Sequence, residues 1–382
     1  MKGSIIKRGN KYSFILDIGK DPVTKKRKQK RVSGFTSKKK AQKAMNEMIA
    51  DLQRGTYIEP SSETLDEYLD RWLQHKKTRV SPSTYEFYAS YINNHIKPAL
   101  GNIKLFDLKP RDVQMFFDGL LEKGDLSKRS IHHIHRILSN ALDSGLKAGD
   151  IQHNAAKAVE PAKVAKKEMK YWDMDTLRQF IDYTRQEPFF IAWYLAAFTG
   201  MRQGEILGLK WDAIDWENKT IHVKRSLKRV EGKRVIADLK NTSSYRSIAI
   251  SDSDIFELKR HYNRQQSIKM EIGEDYQDDN LIIATATGNY VYHSNLLRSF
   301  KKCIADVGVE RIRFHDLRHT HASMLFALQT HPKIVQERLG HSSIQVTLDT
   351  YSHMLPNMQS AVAESLESAF IKQKKDTNGH SL

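Results

Sequence analysis

Cysteine is nearly absent, Cys303 being the only one in 382 residues. A single thiol closes no intramolecular disulfide and builds no multi-cysteine zinc site, which suits a reducing compartment. Long apolar runs are missing too. No stretch approaches the ~20 apolar residues of a membrane span, and the opening Met-Lys-Gly-Ser-Ile-Ile-Lys-Arg lacks the apolar segment of a secretory leader. A cytoplasmic protein with no membrane role is expected. No internal repeat is visible, and no carboxylate pair or cysteine cluster marks a catalytic centre. Chemistry must then be sought among arginine, histidine, lysine and tyrosine.

Positive charge is plentiful. The chain has 62 Lys+Arg against 45 Asp+Glu, a formal charge of +17, and a pI near 9.6. That balance favours a polyanionic partner such as nucleic acid. Its location is more telling than its total. Residues 1–54 hold 16 basic and 4 acidic residues, residues 55–160 hold 14 of each, and the remainder holds 32 and 27. The first seventh of the chain is a basic module.

At this length two or three domains are expected, since single cores rarely grow beyond ~250 residues. In residues 1–55, an alternating run at 11–18 and a second run from Arg31-Val32 to Gly34-Phe35 read as strands. Ala41, Ala44, Met45, Met48, Ile49 and Leu52 then follow helical spacing. Lys25, Lys26, Arg27, Lys28, Lys30 and Arg31 lie on the turn and strands, where a β-ribbon would meet a DNA groove.

Residues 62–154 read as a four-helix domain. One stripe runs through Leu65, Tyr68, Leu69, Trp72 and Leu73, and Ser81-Pro82 opens a second helix with a cap and N1 proline. Arg79, Lys128, Arg129 and His132 are its candidate DNA-facing residues, although for any single one of them ordinary helix surface is the better reading. Residues 155–170, rich in Ala and Lys, read as a linker. Residues 171–371 read as a mixed domain. Its expected helices lie near 173–186, 189–199 and 252–269, with strands near 219–227, 234–250 and 281–284 and helices thereafter. Residues 372–382 form a polar tail expected to be disordered. The fold class is multidomain α+β.

The chemistry-bearing residues stand in order: Thr199-Gly-Met-Arg202-Gln-Gly-Glu205, Lys240-Asn-Thr-Ser-Ser, His315-Asp-Leu-Arg318-His-Thr, Leu339-Gly-His341-Ser-Ser and Leu348-Asp-Thr-Tyr351-Ser-His. Breaking a phosphodiester needs a nucleophile, stabilisation of charge on the non-bridging oxygens, and a proton for the departing oxygen. Arg202 and Arg318 suit the second task, because a guanidinium grips phosphate bidentately and stays charged. His315 and His341 can exchange protons near neutral pH. Tyr351 suits the attack, with nearby cations favouring its phenolate. Lys240, in a turn between two strand-like runs, is the candidate acid. A lone hairpin lysine is ordinarily just solvated, so it is the company Lys240 keeps that nominates it.

These segments resemble the tyrosine recombinase (phage integrase) family, most closely the integrases of temperate phages or of integrative conjugative elements of Gram-positive bacteria. The resemblance implies an arm-type DNA-binding domain, a helical core-binding domain and a mainly α catalytic domain. By it, Arg202 and Arg318 are the arginine pair, Lys240 the hairpin lysine, His315 and His341 the two histidines, and Tyr351 the nucleophile that forms a 3′-phosphotyrosine. Glu205, His319 and His321 read as supporting or packing residues. Implied partners are double-stranded DNA at core and arm attachment sites, further copies of the chain in a tetramer, an excisionase and a host DNA-bending protein. The implied location is the host cytoplasm and nucleoid. No cofactor is expected.

Two rival readings can be drawn from the same residues. His315 and His319 at i and i+4, with an acid between, imitate a zinc-binding helix and would suit a metal-dependent hydrolase. Against that stand an aspartate in place of glutamate and an arginine beside the ion. A DNA-binding regulator without chemistry would need only the basic module and the helices. It leaves the arginine pair and tyrosine without a purpose.

Overall fold

The computed structural model describes residues 3–20, 26–54, 57, 61–161, 163–164, 169–230, 233–239 and 244–351. The candidate residues Lys25 and Lys240 lie outside that set, as do residues 352–382 with the expected tail. The chain divides into two compact units, Met1–Lys166 and Lys167–Leu382.

In the first unit β1 (Gly3–Arg8), β2 (Lys11–Lys20) and β3 (Arg27–Phe35) form an antiparallel sheet in that order. Period-two alternation turns Phe14 and Leu16 to one face, with Val32 opposite Phe14. Helix α1 (Lys38–Arg54) covers that face, and Met45 is buried with the two strand residues. Strand β1 went unseen in the sequence because Gly-Ser-Ile-Ile-Lys-Arg does not alternate. A two-residue loop, Gly9-Asn10, folds it onto β2, with Gly9 at φ +57°. Lys26, Arg27, Lys28 and Arg31 are exposed and Lys30 is half-buried. Arg27 pairs with Asp17 across the sheet.

The helical part comprises α2 (Leu65–Lys77), α3 (Pro82–Tyr91), α4 (Lys97–Leu100), α5 (Pro110–Lys123) and α6 (Lys128–Ala148). Thr64 and Glu67 close a capping box on α2, Ser81 caps α3, and Ser127 caps α6. A π-helical turn at Ile92–Ile96 joins α3 to α4, so the expected second helix continues through it. The Leu65, Tyr68, Leu69, Trp72 and Leu73 stripe packs on Ile131, Ile134, Leu138 and Leu142 of α6 and on Val113 and Phe117 of α5. Arg79, Lys128 and Arg129 are exposed.

The expected linker begins too early. Ala155–Ala158 form a 3-10 turn, and Ala155, Ala156 and Val159 are buried in the helical core. The Asn154 side chain ties that turn down by donating to the Ser139 carbonyl at 2.9 Å and to Asp143 at 2.8 Å, while His135 bonds the Ala156 and Val159 carbonyls. Small apolar residues in an Ala-Lys run are ambiguous by composition, and here they serve packing.

The second unit opens with α7 (Met174–Tyr183) and α8 (Phe190–Thr199), the latter apolar all round and buried. A short α9 (Gln203–Leu207) follows. The expected strand at 219–227 is two strands, β5 (Thr220–Val223) and β6 (Arg225–Val230), and that at 234–250 is β7 (Lys233–Asp238) and β8 (Arg246–Ala249). Strands β4 (Ile214–Asp215), β5 and β8 pair in that order, while β6 and β7 form a separate hairpin. Residues 281–284 contribute only isolated bridges, Leu281 with Lys210 and Ala284 with Tyr290.

Helix α9 lies close against β6. A Cβ on Gly208 would come within 2.6 Å of the Leu227 backbone nitrogen, so only glycine permits the approach. Helices α10 (Asp252–Ile272), α11 (His293–Val307), α12 (Asp316–Ala327), α13 (Pro332–Leu339) and α14 (Ile344–Tyr351) complete the unit. Among the described residues no helix is long and apolar enough to cross a membrane.

Candidate active site

The ends of α8 and α13 build the frame. Both helices close on a left-handed glycine, Gly200 at φ +65° and Gly340 at φ +66°. A Cβ on Gly200 would also meet Leu339 at 2.7 Å and His321 at 2.8 Å. Helix C-termini present carbonyl oxygens with no partner inside the helix and carry partial negative charge. Here they receive guanidiniums. Arg318 donates to the Gly200 and Leu339 carbonyls, each at 2.7 Å, and Arg202 donates to the Gly340 carbonyl at 3.0 Å.

Arg202 is also the N-cap residue of α9, and both its backbone N–H (2.8 Å) and its Nη1 (2.9 Å) reach Glu205 one turn on. Glu205 is 2 % exposed. Burial raises its pKa, but Arg246 and then Arg202 outweigh that and hold the carboxyl below its ordinary value. Arg318 is 3 % exposed, and burial followed by the Arg202 and Arg246 charges pulls its pKa down to about 9, which leaves it protonated at neutral pH. With Arg202, Arg246 and Arg318 set against Glu205, the cluster carries two positive charges that no carboxylate within it answers.

Histidine behaves differently from the expectation. Burial, then Arg318 and Arg202, push His341 down to about 3, so it is a neutral hydrogen-bonding group here and does not titrate near pH 7. Its Nδ1 bonds the buried Thr347 hydroxyl at 2.8 Å. His315 stands at the N-terminal end of α12 with its ring edge-on to His319 and its pKa lowered by partial desolvation and by Arg318.

Tyr351 departs furthest from the expectation of a phenolate favoured by its neighbours. Its ring is 1 % exposed and packs with Ala322, Phe326, Val335 and Leu339. Burial pushes its pKa up to about 12, and the opposing pull of Arg318 does not overcome it. The phenol is therefore protonated, and its hydroxyl bonds His319 Nδ1 at 2.8 Å. His319, read from the sequence as support, touches the Tyr351 hydroxyl itself. Its own pKa lies at about 4, lowered by burial and then by His315.

The i, i+4 spacing of His315 and His319 had also suggested zinc. Among the described residues no three His, Cys, Asp or Glu side chains converge to hold a metal ion, and His319 Nδ1 is engaged with Tyr351. His321 supports the frame, bonding the Ala197 carbonyl through Nδ1 and accepting from Arg338 Nε at 3.0 Å. Arg246, absent from the sequence-derived set, is the site's unforeseen member. An arginine in Tyr-Arg-Ser-Ile reads as a strand residue, and its partner Glu205 lies 41 positions upstream.

A cationic, carbonyl-backed cluster with a tyrosine on the adjoining helix suits an enzyme acting on a phosphodiester. Comparison with known proteins makes the assignment specific. The phage integrase family matches residues 169–358, its N-terminal SAM-like domain matches 64–121, and an arm DNA-binding domain matches 4–52. A tyrosine recombinase XerC-like protein of Caldanaerobacter subterraneus is 30% identical over 97% of this chain and 99% of its own. The ICEBs1 integrase of Bacillus subtilis is 27% identical over 93% and 96%. The fold is shared with the Tn1549 transposon integrase solved with transposon right end DNA, at TM-score 0.69 and 20% identity over 80% of this chain and 99% of that one. A lambda integrase tetramer bound to a Holliday junction matches at TM-score 0.55 and 20% identity, over 90% and 93%. The chain belongs to the tyrosine recombinase (phage integrase) family. It is a DNA strand-exchange enzyme of the site-specific, integrase type, which removes the support for the hydrolase and regulator readings.

Proposed function

We propose that the chain integrates and excises a mobile element by joining the element's attachment site to a chromosomal site. Tyr351 gives up its phenolic proton to solvent and attacks the scissile phosphate, its phenol oxygen bonds to phosphorus, and the 5′ oxygen departs with a proton from Lys240. The products are a 3′-phosphotyrosine and a free 5′ hydroxyl, which reverses the step on the partner duplex. Two such exchanges pass through a Holliday junction in a tetramer. Arg202 and Arg318 hold the non-bridging oxygens, with His315 and His341 as hydrogen-bond partners.

The observation that carries this reading is the doubly positive cluster. A phosphodiester bears a single negative charge, and attack by a phenolate adds a second, so the cluster matches the transition state better than the ground state. Its donors are fixed from behind by carbonyls and a carboxylate, and little reorganisation accompanies reaction. Before attack, the Tyr351 hydroxyl exchanges its His319 bond for phosphate.

The basic module, with Lys25, Lys26, Arg27, Lys28, Lys30 and Arg31, binds arm sites. Arg79, Lys128 and Arg129 contact the core duplex. An excisionase and a host DNA-bending protein set direction, and the setting is the bacterial cytoplasm and nucleoid. A nicked core-site DNA tests the chemistry. A covalent adduct should form in EDTA and vanish with Tyr351→Phe. An adduct surviving that change, or one abolished by the chelator, refutes the proposal.

A further inference from the structure

We infer that Arg246 is a positioning residue for strand cleavage, one that satisfies the buried Glu205 carboxylate so that the Arg202 charge stays available to the scissile phosphate. The inference rests on the proposed role of Arg202. It begins with how the Arg246 donors are spent. Nη1 and Nη2 grip Glu205 bidentately, at 3.2 Å to Oε1 and 2.9 Å to Oε2. Nη1 also donates to the Ser244 carbonyl at 3.2 Å, and Nε donates to the Arg338 carbonyl at 2.8 Å. Four of the five donors of a guanidinium are thereby committed to protein. With a single N–H donor left over, Arg246 has little to offer a phosphate directly.

Glu205 explains what that commitment achieves. Each carboxylate oxygen receives one bond from Arg246 and one from Arg202, the latter from Nη1 to Oε1 and from the backbone N–H to Oε2. A carboxylate buried to this degree demands a counter-charge, because an unpaired buried ion is strongly disfavoured. Were Arg202 the sole counter-ion, the two would form a closed neutral pair. Arg246 supplies the second positive charge from the enclosed side, held on β8 and latched to the end of α13. Arg202, whose side chain is 37 % exposed, then faces outward with its charge uncancelled. The same anchor fixes the α13 terminus, whose next carbonyls hold Arg318 and Arg202.

Arg246 also follows Lys240 by six positions in the sequence, so a rival role is to position the leaving-group acid. Two substrate analogues separate the two roles. A methylphosphonate at the scissile position removes one non-bridging negative charge and with it much of the need for Arg202. A 5′-bridging phosphorothiolate expels a thiolate that needs no proton, and so bypasses the acid. On a normal nicked core site, Arg246→Gln should slow single-turnover adduct formation about 100-fold, the scale of losing one preorganised donor to the reacting charge. On the methylphosphonate the loss should shrink at least about tenfold by the same reasoning, and the phosphorothiolate should restore nothing. Arg246→Lys, which retains the charge, should fall between wild type and Arg246→Gln on the normal site.

Rescue by the phosphorothiolate overturns the inference in favour of the Lys240 role. Equal loss on the phosphate and the methylphosphonate overturns it in favour of a purely structural one. Should Arg246→Gln not fold, as judged by thermal unfolding, the same substrate ratio is read on Arg246→Lys. A wild-type enzyme that forms no Tyr351 adduct would instead refute the proposed chemistry itself.

Discussion

The His319–Tyr351 hydrogen bond should restrain the nucleophile, and removing it should speed the first chemical step. The phenol sits in a pocket where it is 1 % exposed, with His319 Nδ1 at 2.8 Å as its bonded partner. His319→Phe keeps an aromatic ring against α14 but deletes that partner. A buried hydroxyl left unsatisfied costs about 1–3 kcal/mol, and at ~1.4 kcal/mol per tenfold this favours departure from the pocket by about 5- to 150-fold. Adduct formation on a nicked core site, measured under single turnover with saturating enzyme, should accelerate within that range until another step limits it. His319→Asn places an amide group near the position of Nδ1 and should stay close to wild type. Slower adduct formation by His319→Phe, with an unchanged unfolding midpoint, would refute the restraint and make His319 an assistant to the attack.

With its phenol at about 12, Tyr351 should give an adduct rate that climbs through pH 9–10, where an ordinary tyrosine at ~10 would level off; a plateau near pH 10 argues against burial of the phenol in the resting enzyme. His321, 4 % exposed and held down to about 3 by burial and Arg338, binds its proton more readily when the chain is unfolded. Its contribution is therefore complete above ~6.5 and erodes as pH falls, by about 2 kcal/mol at pH 5. Urea midpoints that stay flat between pH 6.5 and 5 would contradict this. Gly208→Ala should destabilise the chain by about 1–3 kcal/mol through forced displacement of β6, read by thermal unfolding. Deleting residues 1–54 should weaken arm-site binding, and the salt dependence of that binding should be steep from counterion release. Core-site cleavage should persist, and equal loss at both sites would remove the separate arm role.

The family was legible because phosphodiester transfer restricts which side chains can act, and Arg202, His315, Arg318, His341 and Tyr351, the residues proposed for it, stand in short, distinctive contexts. Helices were legible where caps and stripes agreed, as at Ser81-Pro82 and Leu65–Leu73. What escaped depended on tertiary neighbours. Nothing local marks Arg246 as the partner of Glu205, or Ala155 and Ala156 as core. The ionisation of the site escaped for the same reason, since composition announced cations around Tyr351 whereas the depth of burial decides its protonation. Strand β1 escaped because its pairing, and not its own pattern, makes it a strand.

The frame of carbonyls has a consequence for the chain as it is synthesised. Arg318 and Arg202 are held by residues 200, 339 and 340, and the proposed nucleophile is residue 351. A ribosome-bound chain that has emerged only as far as α12 possesses both arginines but neither the second helix end nor the tyrosine. If the basic amino-terminal module binds DNA as proposed, such a chain meets DNA with no means of cutting it. On the proposed chemistry, cleavage is thus deferred until residue 351 has been made, a consequence of where along the chain the parts of the site are encoded.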